Sequence, residues 1–244
     1  MGRRRLLTLT LWALAGFAVL IGLGTWQIER LHWKDALIAE RAAAVSAPPA
    51  ELPRTPDAAR PLDFRRVQVK GVFLHDHEIP VHAIERRSGA AGYLVLTPLR
   101  LEDGAVVLVE RGWVPDDKRE AATRAEGNPL GEVAVEGLLR WALAEKPGWF
   151  VPANDPGRGE WFWIDLPALA RAAGVPEALP FYVEAGPAPN PGGLPVGGQA
   201  NTDLPNDHLQ YAITWYALAA ALAVIYFLVL RRERAAASQP TEQP

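Results

Sequence analysis

The 244 residues contain no cysteine, and the one methionine is Met1. Disulfides, zinc–thiolate sites, iron–sulfur clusters and thiol nucleophiles are therefore excluded, as is copper delivery through soft sulfur ligands. Strong charge of either sign is also missing: the formal net charge is −3. A nearly neutral chain lacks the basic face that releases counterions from nucleic acid, so no nucleic-acid partner is expected. The motifs G-x-S-x-G, H-E-x-x-H, G-x-G-x-x-G and the P-loop are absent too. What the chain has in quantity is proline (22), glycine (21) and tryptophan (9). So many prolines and glycines argue against a long helical bundle through the middle. A mean hydropathy near zero hides apolar residues piled up at both ends.

Leu6–Ile28 (LLTLTLWALAGFAVLIGLGTWQI) carries no charge. As a helix it reaches roughly 34 Å, enough to cross a hydrocarbon core of about 30 Å. Tyr211–Leu230 (YAITWYALAAALAVIYFLVL) is likewise uncharged, and spans roughly 30 Å. Arg3, Arg4 and Arg5 before the first run also suit a signal peptide, but the apolar stretch is too long for an ordinary one. The small-residue site Val45-Ser46-Ala47 lies beyond the charged segment 29–41, so an uncleaved anchor is expected. Arg3–Arg5 and Arg231, Arg232 and Arg234 place both termini in the cytoplasm by the positive-inside rule. With no Arg/Ser-rich leader ahead of the first span, the expected location is the cytoplasmic (inner) membrane of a bacterium, with the central domain outside.

The intervening segment reads as short strands with one helix. Arg65–Leu74 alternates at Val67 and Val69 before Gly71, which marks a bulge or close approach. Gly92–Leu101 and Ala105–Val114 flank Glu102-Asp103-Gly104, a hairpin signal. Val133–Trp141, Trp161–Ile164 and Phe181–Glu184 read as further strands. Asp165 can cap a helix to about Ala173, ended by Gly174 and Pro176. The fold class is therefore an α+β membrane protein, in which two transmembrane helices bracket a mostly β, barrel-like extracytoplasmic domain. Its expected parts are a cytoplasmic N-terminus (1–5), span one (6–28), a helix extension and linker (29–46) and the domain (47–185). A Gly/Pro-rich loop (186–205), an interfacial start with span two (206–230) and a cytoplasmic tail (231–244) follow. The stretch 47–61 reads as an Ala/Pro linker, and 186–205 as either a tether or an ordered loop.

Chemistry has few places to sit. On a strand His75 and His77 would face the same way and could hold a metal, though the only nearby third ligand, His82, would fall on the opposite face. Alternatively Asp76 could orient one of them as a base in a tethered envelope hydrolase, but a solvated turn reads better. At the outer membrane edge, helical spacing aligns Trp26, Arg30 and Trp33 on the first helix. On the second it aligns His208, Tyr211 or Ala212, and Trp215. If the helices pack, an imidazole, aromatic faces and a guanidinium converge, which is the inventory a haem needs. Ordinary interfacial anchoring by Trp and Tyr, and contact of Arg30 with lipid phosphate, explain the same residues.

Gly24-Thr25-Trp26-Gln27 with Arg30-Leu31 and Trp33-Lys34, and Asn206-Asp207-His208-Leu209-Gln210-Tyr211 continuing into Ile213-Thr214-Trp215-Tyr216, resemble the Surfeit-locus cytochrome c oxidase assembly proteins. So do Gly92-Tyr93 with Thr97-Pro98, Val109-Glu110-Arg111-Gly112-Trp113-Val114-Pro115, and Phe150-Val151-Pro152 with Asn154-Asp155-Pro156. Asp165-Leu166, Gly192-Gly193 and Gly197-Gly198-Gln199 match in order. The resemblance implies a non-enzymatic factor in the maturation of haem-copper oxidase subunit I at the haem a insertion step. Its partners would be subunit I, the haem a synthesis machinery and the lipid bilayer. His208 matches the family's proposed haem a ligand; Tyr211, Trp215 and Trp26 would supply packing and Arg30 a propionate partner. Some relatives carry a His-rich version of Glu160-Trp161-Phe162-Trp163, which here holds no ligand. A cofactor-free membrane scaffold for subunit I is the alternative.

Overall fold

The computed structural model describes residues 3–143 and 145–237. The outermost parts of the expected tails, residues 1–2 and 238–244, lie outside the described residues. Helix α1 runs Arg3–Ser46 without a break, because no proline interrupts it until Pro48-Pro49 stops it. Helix α4 runs His208–Ala237. Both are long and apolar enough to cross a membrane. They belong to one compact unit, formed by residues up to 40 and from 203; residues 41–202 form a second.

Within the first unit the helices are antiparallel. Tyr226 Oη donates to Thr10 Oγ1 at 2.8 Å, and Thr25 Oγ1 lies 3.2 Å from Tyr216 Oη. A Cβ on Gly24 would meet the Tyr216 ring at 2.7 Å. The buried positions Gly24 and Gln27 on α1 and Ala212 and Ala219 on α4 lie three or seven apart. That is the seam spacing of two helices packed at a shallow angle.

The second unit is built on strands β1 (Ala50–Glu51), β2 (Arg66–Phe73), β3 (Ile79–Ile84), β4 (Ala91–Leu101), β5 (Val106–Pro115), β6 (Glu132–Arg140) and β7 (Tyr182–Ala185). Helix α2 (Pro56–Ala59) precedes β2, and α3 (Leu166–Ala172) lies between β6 and β7. Strand β2 pairs antiparallel with β6, β6 with β7, β5 with β4 and β4 with β2, while β7 and β5 run parallel. This circuit closes on itself, so the sheet is a barrel. Its interior is filled by Val67, Val69, Leu99, Leu101, Val107, Val109, Leu139, Phe181 and Val183. A second core lies outside the wall, where Ile79, Val81, Leu96 and Leu108 pack against Trp161 and α3 residues Leu166 and Leu169. Consequently β5 is buried on both faces from Val107 to Val114.

Several expectations are met. The Asp-Gly turn joins β4 to β5, with Ala105 N donating to Asp103 Oδ1 at 3.1 Å. Gly71 packs on the Arg100 carbonyl. Asp165 caps α3 by accepting from Ala168 N at 3.1 Å. Others are corrected. The linker 47–61 is not slack: β1 adds to β2 in parallel, and Leu52 and Ala59 are buried in the barrel core. Trp161–Ile164 is not a strand; Asn154 Oδ1 accepts from Phe162 N (2.8 Å) and Trp163 N (3.3 Å), taking the place of ladder partners. Strand β3 was hidden by Pro80, which an edge strand tolerates.

Of the two readings of 186–205, the ordered one holds through Gln199. Val196 exchanges backbone bonds with Trp113 at 2.9 and 2.8 Å. Gln199 Nε2 donates to Val196 O at 3.1 Å. This docking depends on Gly112, whose φ of +132° is left-handed and whose absent Cβ leaves room for the Val196 carbonyl. Gly112→Ala is therefore expected to cost about 2–4 kcal/mol. Hydrogen exchange in the detergent-solubilised chain checks this, because the Val196 amide should lose protection before the β4–β5 ladder does.

Candidate functional site

In the helix-pair unit, polar side chains line one stretch of an otherwise apolar seam. His208, the first residue of α4, places Nδ1 2.6 Å from Gln27 Oε1 on α1. One turn beyond, Asn206 Nδ2 donates to Asp35 Oδ1 at 2.8 Å and to Leu31 O at 3.4 Å. On the other side of Gln27 lies the Thr25–Tyr216 contact. Gln27 itself is only 9% exposed. Gln27 Oε1 can accept a proton from His208 Nδ1, an arrangement that in the neutral ring would leave Nε2 with its lone pair. An imidazole in that state is a competent ligand for iron.

The other residues singled out from the sequence are distributed differently. His208, Ala212, Trp215 and Ala219 follow the seam, with Trp215 half-buried and Tyr211 turned outward, 56% exposed. The choice between Tyr211 and Ala212 thus falls to Ala212. Trp26 is 50% exposed, and Arg30 stacks over its own-helix neighbour Trp33, 4.1 Å from the ring centroid. The α1 residue that meets His208 is Gln27, not Trp26 or Arg30. Sequence reasoning missed it by favouring the aromatic stripe 26–30–33 over the stripe 24–27–31. An uncharged amide near the end of an apolar run was the available signal.

In the barrel unit the His75–Asp76–His77 cluster is a tight turn, with its imidazoles turned to separate partners. His75 Nε2 is 3.0 Å from Pro129 O, and His77 Nδ1 is 2.8 Å from Ala173 O. His82 lies on β3, 2.5 Å from Glu160 Oε2 and stacked on Phe162. Burial holds the His75 imidazole below its ordinary value, reinforced by Arg111 and Arg124 and opposed by its bond to Pro129. Among the described residues no group of three or more His, Asp or Glu side chains comes together to hold a metal.

Two charge clusters sit inside this unit. Arg124, on the 121–127 turn, pairs with Glu78, and both side chains are almost fully covered. Arg124 Nε donates to Lys118 O at 3.1 Å, while neighbouring Arg111 binds Gly127 O and Asn128 Oδ1 and stacks on Phe73. Burial pushes Arg111 down to about 10, so it stays charged near neutrality. On β5, Glu110 is fully buried and its carboxyl is pushed up to about 8, first by burial and then by Glu184. Glu184 is itself bound by Arg140 at 2.8 and 2.9 Å and by Tyr182 Oη at 3.0 Å. These groups anchor loops and strands and present no converging nucleophile.

Fold and site together define a class: two terminal helices long and apolar enough to cross a membrane, bracketing a mostly β, barrel-like domain, with a histidine–glutamine pair in the helix seam. The chain belongs to the SURF1 family, whose model matches residues 14–220. It is 41% identical to a SURF1-like protein of Monosiga brevicollis, over 91% of this chain and 87% of that protein. It is 40% identical to Surfeit locus protein 1 of Rattus norvegicus, over 86% of this chain and 72% of the relative. For the Homo sapiens protein of that name the figures are 40%, 84% and 72%. The resemblance carried by the short motifs is therefore confirmed. One expectation is overturned: these relatives are eukaryotic, which does not fit a bacterial inner membrane. Basic flanks orient a helix across a bilayer but carry no mark of whose bilayer it is.

Proposed function

We propose that this chain is an assembly factor for haem-copper cytochrome c oxidase. In this reading its helix pair spans the lipid bilayer, holds haem a through His208 and aids its insertion into subunit I. Subunit I and the machinery that makes haem a are its partners. The observation that carries the reading is the contact of His208 Nδ1 with Gln27 Oε1 at 2.6 Å, while among the described residues Nε2 has no hydrogen-bond partner. Family membership supplies the link to the oxidase.

The residues present fit the group. When bound, haem a would supply an iron that takes an imidazole nitrogen, together with a large flat apolar ring bearing propionates. His208 offers one imidazole nitrogen at the start of α4. Trp26 and Tyr211 leave uncovered aromatic surface within a turn of the Gln27–His208 pair, and Trp215 extends the seam beneath it. Arg30, exposed and within a turn of Gln27, supplies a cation for a propionate, with Trp33 steadying its guanidinium. A single ligand at the edge of a helix pair suits hand-over, because one bond to iron breaks more readily than two.

The test is co-expression with the enzymes of haem a synthesis, purification in detergent and a reduced-minus-oxidised spectrum. A haem a band that is lost at least tenfold in His208→Ala is expected. Wild-type chain without the band, or a band unchanged in His208→Ala, points to the cofactor-free scaffold that holds subunit I.

A further inference from the structure

We propose that Gln27 is the positioning residue that sets the tautomer of His208, so that Nε2 is the nitrogen this chain offers to iron. The part concerning iron rests on the proposed haem function; the tautomer is a property of the chain alone.

The geometry is short and one-sided. Gln27 Oε1 lies 2.6 Å from His208 Nδ1. An amide oxygen only accepts, so the proton between them belongs to Nδ1. A neutral imidazole has one protonated nitrogen, and fixing it at Nδ1 empties Nε2. Without such a partner a histidine side chain favours the opposite form, with the proton on Nε2, where it blocks coordination. The bond also restrains rotation of the ring, since Gln27 is buried in the helix seam. Contacts above and below keep the helices in register around it: Asn206 with Asp35 at 2.8 Å, and Thr25 with Tyr216 at 3.2 Å.

The choice of an amide has a consequence of its own. A primary amide inside an apolar helix seam costs free energy unless its polar atoms are engaged. A leucine there would pack without that cost, and a carboxylate would bind the imidazole more strongly. A carboxylate partner, however, raises the basicity of the ligating nitrogen and tightens its bond to metal. A neutral acceptor orients the ring without that strengthening, which suits a ligand that must let go.

The full-length chain, labelled with nitrogen-15 histidine, haem-free in detergent at pH 8, provides the test. His208 signals are assigned by their loss in His208→Ala. Wild type should show the proton on Nδ1, Gln27→Leu should move it to Nε2, and Gln27→Glu, which keeps an acceptor, should retain the wild-type pattern. A wild-type ring protonated on Nε2, as the reverse orientation of the Gln27 amide would give, overturns the inference. So does a Gln27→Leu chain that leaves the pattern unchanged. In a second arm, iron protoporphyrin IX is titrated into the same samples. Gln27→Leu should bind about 10–100-fold more weakly than wild type, and Gln27→Glu at least as tightly. Equal binding by Gln27→Leu and wild type overturns the positioning role. A wild-type chain that binds none, yet carries its proton on Nδ1, overturns the haem reading and leaves the tautomer assignment supported.

Discussion

Arg124→Met should unfold the barrel unit more readily than any exposed substitution, with a loss of about 3–5 kcal/mol. Arg124 and Glu78 are both almost fully covered, with side-chain exposures of 2% and 9%. Methionine fills similar volume but leaves Glu78 a buried carboxylate without its cation. Burial already pushes the Glu78 carboxyl above its ordinary value, with Arg124 the main influence holding it down. Removing Arg124 therefore forces Glu78 either to take up a proton or to drag water inward. The same change frees the carbonyls of Lys118 and Arg119 that the guanidinium binds. Thermal unfolding followed by near-ultraviolet circular dichroism measures the loss. The double substitution Arg124→Met with Glu78→Gln should recover a substantial part, because the stranded charge is gone. If the double variant is no more stable than Arg124→Met alone, the cost lies in lost loop contacts and not in the buried charge.

Glu110→Gln should act in the opposite direction and only where pH allows. The buried carboxyl is raised from an ordinary value of 4.5 to about 8, chiefly by burial. Below pH 4.5 folded and unfolded chains both hold the proton, so the group is neutral in the comparison. Between pH 4.5 and about 8 the unfolded chain has released it while the folded one retains it. The folded state binds more protons there, so stability falls as pH rises through that window and levels off above it. Glutamine is the same size, still accepts from the Gly112 amide and has no proton to lose. The variant should therefore gain on the order of 3 kcal/mol over wild type at pH 8, and almost nothing at pH 4.5. Melting temperatures at the two pH values decide it. A gain of equal size at both would mean that Glu110 is not the titrating group.

How much of this was legible in the chain depended on whether one signal acted alone. The two terminal helices were plain because nothing charged interrupts their apolar runs, Leu6–Ile28 and Tyr211–Leu230. The β4–β5 hairpin was plain because Asp103-Gly104 separates two β-branched runs, and α3 because Asp165, Gly174 and Pro176 bracket it. Misreadings arose where side chains replaced a backbone partner. Trp161–Ile164 has strand composition, yet Asn154 takes the bonds a neighbouring strand would have made. Pro80 disguised β3, which survives proline because it borders the sheet. Leu52 and Ala59 sit in a stretch of linker composition and are nonetheless core residues, since long-range packing decides their burial. At the helix pair, His208 was found from its position and from the family motif, but its partner was not. Spacing gives stripes, and Trp26, Arg30 and Trp33 made the louder stripe; only the packed seam shows that Gln27 is the one turned inward.

Strand β5 works as a party wall. Successive residues along it, Leu108 and Val109, look into different rooms: one toward α3 and Trp161, the other into the barrel. Peeling α3 away would strip the outer plaster from the same strand whose inner side seals the barrel. The two rooms consequently stand or fall together. The outer layer cannot serve as a detachable lid, and any partner that grips it takes hold of the whole building.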